Sequence, residues 1–351
     1  MHLPVLPTSR STPLSHPAGP IHELHDAHGR VIRDLRISIT DRCNFRCVYC
    51  MEPDVRFKRK IELLTDSEIV RTVRVARSLG VRRVRLTGGE PSIHPTLDAL
   101  IRDIWAVGLD DLSMTSNGSV LNEGELAQLK DAGLQRLTVS LDSLRTDRFR
   151  ALTRSAATPA RVLETVEAAK RVGLEPVRIN AVIVRGFNDD EIADLAALAR
   201  VYDADVRLIE YMPLDSGRQW EMSKVVPIDE IVDRVHAVFP IEAAGRERTS
   251  SPATGFRFAD GGPGRFGVIA SVTRPFCGAC SRLRITADGM VMPCLFSTDE
   301  YDLRAVLRDD RSTDGDIAGF LAAATLRKQA GHGIHDEGYR QPDRPMSAIG
   351  G

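Results

Sequence analysis

Hydrophobic and polar residues alternate with a period of two in six short stretches of the chain, and stretches with helical spacing lie between them. The alternating segments fall at about 35–40, 82–87, 111–117, 136–142, 176–184 and 205–212. The helical ones fall at about 66–79, 95–107, 124–132, 158–173 and 189–202. The first helix has a clear start, because Thr65 followed by Glu68 forms a capping box. Strands alternating with helices predict β/α units around a parallel sheet. Six repeats predict an α/β fold built on a partial (β/α)6-type TIM barrel.

The alternation also sorts side chains onto two faces. Leu35, Ile37 and Ile39 share one face, and Arg36, Ser38 and Thr40 the other. Val84 and Leu86 oppose Arg83, Arg85 and Thr87, while Leu112 and Met114 oppose Ser113, Thr115 and Asn117. Leu137, Val139 and Leu141 oppose Thr138, Ser140 and Asp142, while Val177, Ile179 and Ala181 oppose Arg178 and Asn180. Barrel interiors are ordinarily packed with Val, Ile and Leu, and parallel sheets rarely leave a face bare to water. Five consecutive strands with one polar face therefore predict a polar lumen wide enough to hold ligands. The sixth sets Arg207 and Tyr211 against Leu208, Glu210 and Met212, and does not settle its own orientation.

Past about residue 215 the alternation stops. A helix is expected over 227–238, then "RFGVIASV", a hairpin turning at Asp288-Gly289, a helical stretch over 303–330 and a loose tail ending "SAIGG". The division is a disordered extension over 1–28, rich in Pro, Ser and His, a barrel over 29–215, and a smaller C-terminal domain over 216–351. The 47 basic and 48 acidic residues leave a formal net charge of -1, which argues against a broad nucleic-acid or membrane footprint. No apolar run approaches the ~20 residues of a membrane span, and the N-terminus lacks the apolar core of a secretory signal. A cytoplasmic, reducing setting is expected, where clustered cysteines serve as metal ligands or catalytic groups rather than disulfides.

All 6 cysteines fall into two trios. Cys43, Cys47 and Cys50 have the spacing C-x3-C-x2-C and follow directly on the first strand, at its C-terminal end, where barrel active sites form. Cys277, Cys280 and Cys294 have the spacing C-x2-C-x13-C. Each set is one short of the four ligands a tetrahedral zinc or a fully ligated iron–sulfur cubane takes. With three thiolates, one iron of a cubane keeps an open coordination site. A Cys3His zinc site recruiting His332 or His335 is the alternative for the second trio.

The C-x3-C-x2-C motif after a first barrel strand, with "TGGEP" (Thr87–Pro91) at the end of the second, resembles the radical S-adenosylmethionine superfamily. Within it, "RISITDRCNFRCVYCM", "VRLTGGEPS", "TSNG", "VSLDSL", "RLIEYM", "CSRLR" and the terminal "IGG" resemble, in order from about Asp34 onward, the GTP 3′,8-cyclase family of molybdenum cofactor biosynthesis. The resemblance implies two [4Fe-4S] clusters, one on each trio, with the second in the C-terminal domain. It implies S-adenosylmethionine at the first cluster, where cleavage releases a deoxyadenosyl radical. That radical takes the ribose C3′ hydrogen of GTP, and the carbon radical closes on guanine C8 to give 3′,8-cyclo-7,8-dihydro-GTP. An external electron donor, a homodimer, and delivery of the product to cyclic pyranopterin monophosphate synthase are also implied.

Residue roles follow by motif. The resemblance places Tyr49, Gly89, Ser140 and Met212 at S-adenosylmethionine. It places Arg36, Arg85, Thr115, Arg178, Arg282, Leu283 and Arg284 at GTP, with guanine on the second cluster. Arg178 departs from the family's usual lysine, keeping the charge but offering a planar fork. Gly350 and Gly351 are expected to enter the active site if the tail behaves as in the family. The residues agree independently: a triphosphate carries roughly four negative charges and needs several cationic donors. The chain has no G-x4-G-K-[ST] loop to supply them.

Overall fold

The structure, a computed structural model, describes residues 21–350. It forms six β/α units in chain order. The strands are β1 (Asp34–Ser38), β2 (Arg83–Thr87), β3 (Asp111–Ser116), β4 (Arg136–Ser140), β5 (Arg178–Ile183) and β6 (Asp205–Glu210). The helices between them are α1 (Asp66–Ser78), α2 (Leu97–Trp105), α3 (Glu123–Ala132), α4 (Thr146–Thr153), α5 (Pro159–Arg171) and α6 (Ile192–Tyr202). Local chemistry sets the helix ends. The Thr65 hydroxyl accepts from the Glu68 amide while the Glu68 carboxylate accepts from the Thr65 amide at 2.7 Å, so α1 starts with its first donors satisfied. Asn122 and Glu125 do the same for α3, which ends at Gly133 in the left-handed region at φ 118. Helix α4, in "TDRFRALT", lies outside the segments expected to be helical.

The six strands pair in parallel and in sequence. Leu35, Ile37, Val84, Leu86, Leu112 and Val139 are fully or almost fully buried in a core shared with helix residues such as Ile69, Val73, Ile101 and Val166. The expected apolar face thus turns outward beneath the helices and the polar face turns inward.

The C-terminal part is joined to the barrel through its strands. After α7 (Ile228–His236) come β7 (Ile241–Gly245), β8 (Thr254–Phe258), β9 (Arg265–Ile269), β10 (Arg282–Ile285), β11 (Met290–Met292) and β12 (Tyr301–Asp302). All join the barrel sheet, whose order is β12-β11-β10-β1-β2-β3-β4-β5-β6-β9-β8-β7. β10 pairs in parallel with β1, and β9 with β6, so late strands extend both edges of the barrel. The expected 303–330 helix is two, α8 (Leu303–Leu307) and α9 (Asp314–Leu326), because Thr313 starts a second capping box with Asp316.

Both expected disordered ends need correction where they are described. The first 20 residues lie outside the described residues. From there Leu24 is fully buried, and Asp26 accepts from the Arg30 Nε at 2.5 Å. Arg30 in turn donates to the carbonyls of Cys277, Gln329 and Ala330, tying this segment to the second cysteine trio. The tail is not loose: α10 (Met346–Ile349) buries Ile349, and Arg344 is clamped by Asp288 and Glu300. Gly351 lies outside the described residues. Among the described residues, no helix is long and apolar enough to cross a membrane.

Candidate active site

One cavity of about 270 Å³ is lined by all six cysteines. It is also lined by Tyr49, Gly89, Ser140 and Met212, and by Arg36, Arg85, Thr115, Arg282 and Arg284. Two expected residues lie elsewhere. Leu283 sits between Arg282 and Arg284 on β10 and is fully buried, because the period of a strand sends it to the opposite face. Arg178 lines an adjoining cavity of about 80 Å³ that shares Arg36, Arg85, Asn180 and Arg282 with the first.

The first trio occupies the loop after β1, and the glycine segment after β2 is braced against it. The Gly89 amide donates to the Thr40 carbonyl at 2.9 Å, and the Glu90 amide to the Arg42 carbonyl at 2.7 Å. A Cβ on Gly89 would lie 2.2 Å from the Arg42 oxygen, so only glycine permits this approach. Glu90, almost fully buried, welds the ends of β2 and β3. Its carboxylate accepts from the Ser116 hydroxyl at 2.7 Å and the Asn117 amide at 2.6 Å. Burial raises its pKa. The Tyr49 hydroxyl donates to Asp142 at 2.5 Å, and the other Asp142 oxygen accepts from the Val182 amide at 2.8 Å. Burial pushes Asp142 up to about 6. Neither Glu90 nor Asp142 was identifiable as a brace from sequence.

Burial pushes the thiols of Cys43 and Cys50 up to about 11 and about 12, with each of the three also raised by the charge of a neighbouring cysteine or acid. In the second trio, burial raises Cys277. Burial also opposes ionisation of Cys280, but Arg282 and Lys328 override it and pull that thiol to about 6. Lys328 is itself buried and donates to the Arg282 carbonyl at 2.9 Å and the Pro293 carbonyl at 2.5 Å, linking the segments that carry Cys280 and Cys294. A bound metal would ionise these thiols outright. Among the described residues, no three His, Cys, Asp or Glu side chains converge tightly enough to hold a single metal ion. Three thiolates per trio is a donor set that a [4Fe-4S] cluster accepts, each cysteine taking a different iron. His332 lines the same cavity; its Nδ1 accepts from the Ile334 amide at 3.1 Å and its Nε2 is buried without a partner among the described residues. His335 is engaged by the Val272 carbonyl at 2.7 Å.

Strand register makes the arginines a row. Arg284, Arg36 and Arg85 are direct partners across β10, β1 and β2. At the first positions of β2, β4 and β5, Arg83, Arg136 and Arg178 each pair with an acid, namely Asp34, Asp111 and Asp205. Among the described residues, Arg36, Arg85, Arg282 and Arg284 have no such ion pair. Arg85 has only the Thr115 and Thr138 hydroxyls, both at 3.5 Å. Burial first, then Arg284, Arg85 and Arg282, pull Arg36 well below its ordinary value. Burial and the charges of Arg178, Arg207 and Arg136 take Arg85 to about 9. Aligned, buried like charges are destabilising unless an anion sits among them. Arg207 is resolved as an inward residue beside this group, which the mixed pattern of the sixth strand had left open.

The tail completes the wall. Gly350, at φ 83, lies so close to the Ser38 and Thr87 hydroxyls that a Cβ would fall 2.4 and 2.3 Å from them. Arg284 Nη1 donates to its carbonyl at 3.3 Å.

Residues 37–199 match the model of the radical SAM superfamily, and residues 204–334 match that of Molybdenum Cofactor Synthesis C. The GTP 3′,8-cyclase of Streptomyces coelicolor is 49% identical over 334 residues, covering 94% of this chain and 97% of that one. That of Moorella thermoacetica is 43% identical over 331 residues, covering 93% and 100%. The crystal structure of Streptococcus suis SuiB bound to S-adenosylmethionine shares the fold, with a TM-score of 0.60 and 17% identity over 92% of this chain and 78% of that one. A barrel that puts a C-x3-C-x2-C loop, a close-packed glycine segment and a second cysteine trio around one arginine-lined lumen, with such relatives along almost its whole length, belongs to the GTP 3′,8-cyclase family of the radical SAM superfamily.

Proposed function

We propose that the chain cyclises GTP to 3′,8-cyclo-7,8-dihydro-GTP, an early step of molybdenum cofactor biosynthesis, using S-adenosylmethionine. The observation that carries this reading is the shared cavity: both trios and the unpaired arginines line it together. Cys43, Cys47 and Cys50 would hold one [4Fe-4S] cluster, and Cys277, Cys280 and Cys294 the other. When bound, the first supplies the single electron that cleaves S-adenosylmethionine, and the second offers an open iron to guanine.

The chain's own residues bind and orient. Gly89 presents backbone at a place no side chain can obstruct, and Tyr49, Ser140 and Met212 line the same side of the chemistry. Arg36 and Arg85 receive the phosphates together with Arg178 and Arg207, whose cavity adjoins. Their repulsion in the free protein is relieved when the anion arrives, so part of their binding energy is stored as strain of like charges. Arg282 and Arg284, two apart on β10, face the substrate beside the second trio. The seated tail, held by Arg284 and by the Arg344–Asp288 clamp, covers the lumen and helps exclude water from a radical reaction. An external one-electron donor, a homodimer and a downstream synthase that consumes the product belong to the same proposal.

Anaerobic reconstitution tests it. About eight irons and eight sulfides per chain are expected, with deoxyadenosine and cyclised product formed together only when GTP is present. Bound zinc, or four irons with no response to GTP, would overturn the reading.

A further inference from the structure

The arginine-rich end of the lumen already contains a carboxylate. Glu247 lies in the loop between β7 and β8, and its Oε2 accepts from Arg178 Nη2 at 3.2 Å. The same oxygen is 3.7 Å from Arg207 Nη2, and its charge also acts on Arg136. Arg178 is 4% exposed at its side chain, whereas Glu247 is 44% exposed. The arginine is thus fixed in the wall while its partner reaches in from the surface. Arg36, Arg83, Arg85, Arg207, Arg248 and Arg282 line the same small cavity. Asp205 holds Arg178 and Arg207 from the strand itself, at 3.0 and 2.6 Å, so both arginines keep one permanent acid and share one that comes from the loop.

The loop is built to carry this side chain. Arg246 donates to the Ser251 carbonyl at 2.7 Å, and the Arg248 and Ser251 backbone amides close the turn on Ser251 Oγ at 3.2 Å and the Arg248 carbonyl at 2.8 Å. The turn is therefore held by bonds within itself. The contacts of Glu247 to the barrel arginines run only through its carboxylate.

We propose that Glu247 is a substrate-displaced counter-ion that stands in for a phosphate of the substrate: it neutralises Arg178 and Arg207 in the free enzyme and is displaced when the triphosphate binds. This rests on the placement of the triphosphate given under Proposed function. A carboxylate offers Arg the same two-oxygen edge as a phosphate, with less charge. A ligand with several phosphate charges outcompetes it, and a ligand with few does not. The exchange keeps the arginine wall neutral while the site is empty, at the expense of some affinity for GTP.

The test is anaerobic equilibrium binding of GTP, GDP and guanosine to the reconstituted enzyme and to Glu247→Gln, with Glu247→Asp as the charge-keeping control. Glu247→Gln is expected to tighten GTP by about fivefold at low salt, the scale of a partly solvated ion pair. It should tighten GDP by no more than GTP and leave guanosine unchanged, so that the preference for GTP over guanosine widens by the same factor. Without nucleotide, the variant should melt below wild type, because the arginines lose a counter-charge; with saturating GTP the gap should close. Glu247→Asp should stay near wild type. Unchanged or weaker GTP binding by Glu247→Gln, with wild type still preferring GTP over guanosine, overturns the inference alone. Equal wild-type affinity for GTP and guanosine overturns the placement of the triphosphate and the inference with it.

Discussion

Replacing Gly89 by alanine should separate folding from chemistry in a measurable way. The new Cβ would lie 2.2 Å from the Arg42 oxygen, 2.5 Å from the Arg42 carbonyl carbon and 2.8 Å from the Asp41 oxygen. All three are backbone atoms, so no side chain can turn aside. Ordinary contact requires the glycine segment and the cysteine loop to part by about an ångström. The hydrogen bonds from Gly89 to Thr40 and from Glu90 to Arg42 resist that parting. Overpacking of this kind costs ~1–3 kcal/mol, a fall of several degrees in Tm, which leaves most of the protein folded at 25 °C. The effect on chemistry is larger, since misplacing reacting groups by about 1 Å costs ~100-fold in rate. The assay is deoxyadenosine release under a strong chemical reductant, with iron content and Tm recorded on the same preparation. Gly331→Ala, at an exposed glycine with nothing within 4 Å of its Cβ, is the control and should behave as wild type. Wild-type release by Gly89→Ala at unchanged Tm would refute the argument that this backbone contact sets the geometry of the site.

Two further outcomes follow from the charges. Arg85→Met removes one of three buried like charges in register, so the nucleotide-free protein should gain about 1 kcal/mol in a denaturant melt. GTP binding should meanwhile weaken by at least about tenfold. A less stable variant would contradict the reading of an arginine row awaiting an anion. Asp288, opposed by burial but held by Arg344, Thr286 and Lys58, has its carboxyl lowered to about 2. A lowered value contributes stability above the ordinary carboxylate range and loses it as pH falls toward 2. Asp288→Asn should therefore cost about 2 kcal/mol at pH 7, with the gap to wild type closing between about pH 4 and pH 2 as wild type itself protonates. A gap that stays constant over that range would show that the clamp on the tail is not electrostatic.

The barrel was legible because its information is local. Period-two alternation over 35–40 or 111–117 reports directly which side chains face inward, and Thr65 with Glu68 marks a helix start without reference to anything distant. The sixth strand failed to declare itself because Glu210 is inward-looking in type yet buried on the outer side. There it accepts from the amides of Ile228 and Val272 at 3.0 and 2.8 Å. How the late strands attach to the barrel was not legible, because their partners, β1 and β6, lie far away in sequence, and no local pattern encodes such pairing. Leu283 was drawn into the substrate set by its place in "SRLR", although the period that turns Arg282 and Arg284 inward turns it away. The tail looked loose because "SAIGG" has few side chains to bury. What seats it is a glycine fitting between two hydroxyls, and an arginine clamp closed by acids more than forty residues away. The arginine row appears only once strand register is known, since sequence shows three arginines but not that they are neighbours.

The central claim is a division of labour between the trios, and paired cysteine variants test it most directly. Deoxyadenosine and cyclised product are measured in parallel for Cys43→Ala and Cys277→Ala, anaerobically, under strong chemical reductant, with iron content checked for each. Cys43→Ala should release no deoxyadenosine under any condition. Cys277→Ala should keep a slow release that no longer responds to GTP and should form no cyclised product. Cyclisation at the wild-type rate by Cys277→Ala, or deoxyadenosine release by Cys43→Ala, would contradict the account.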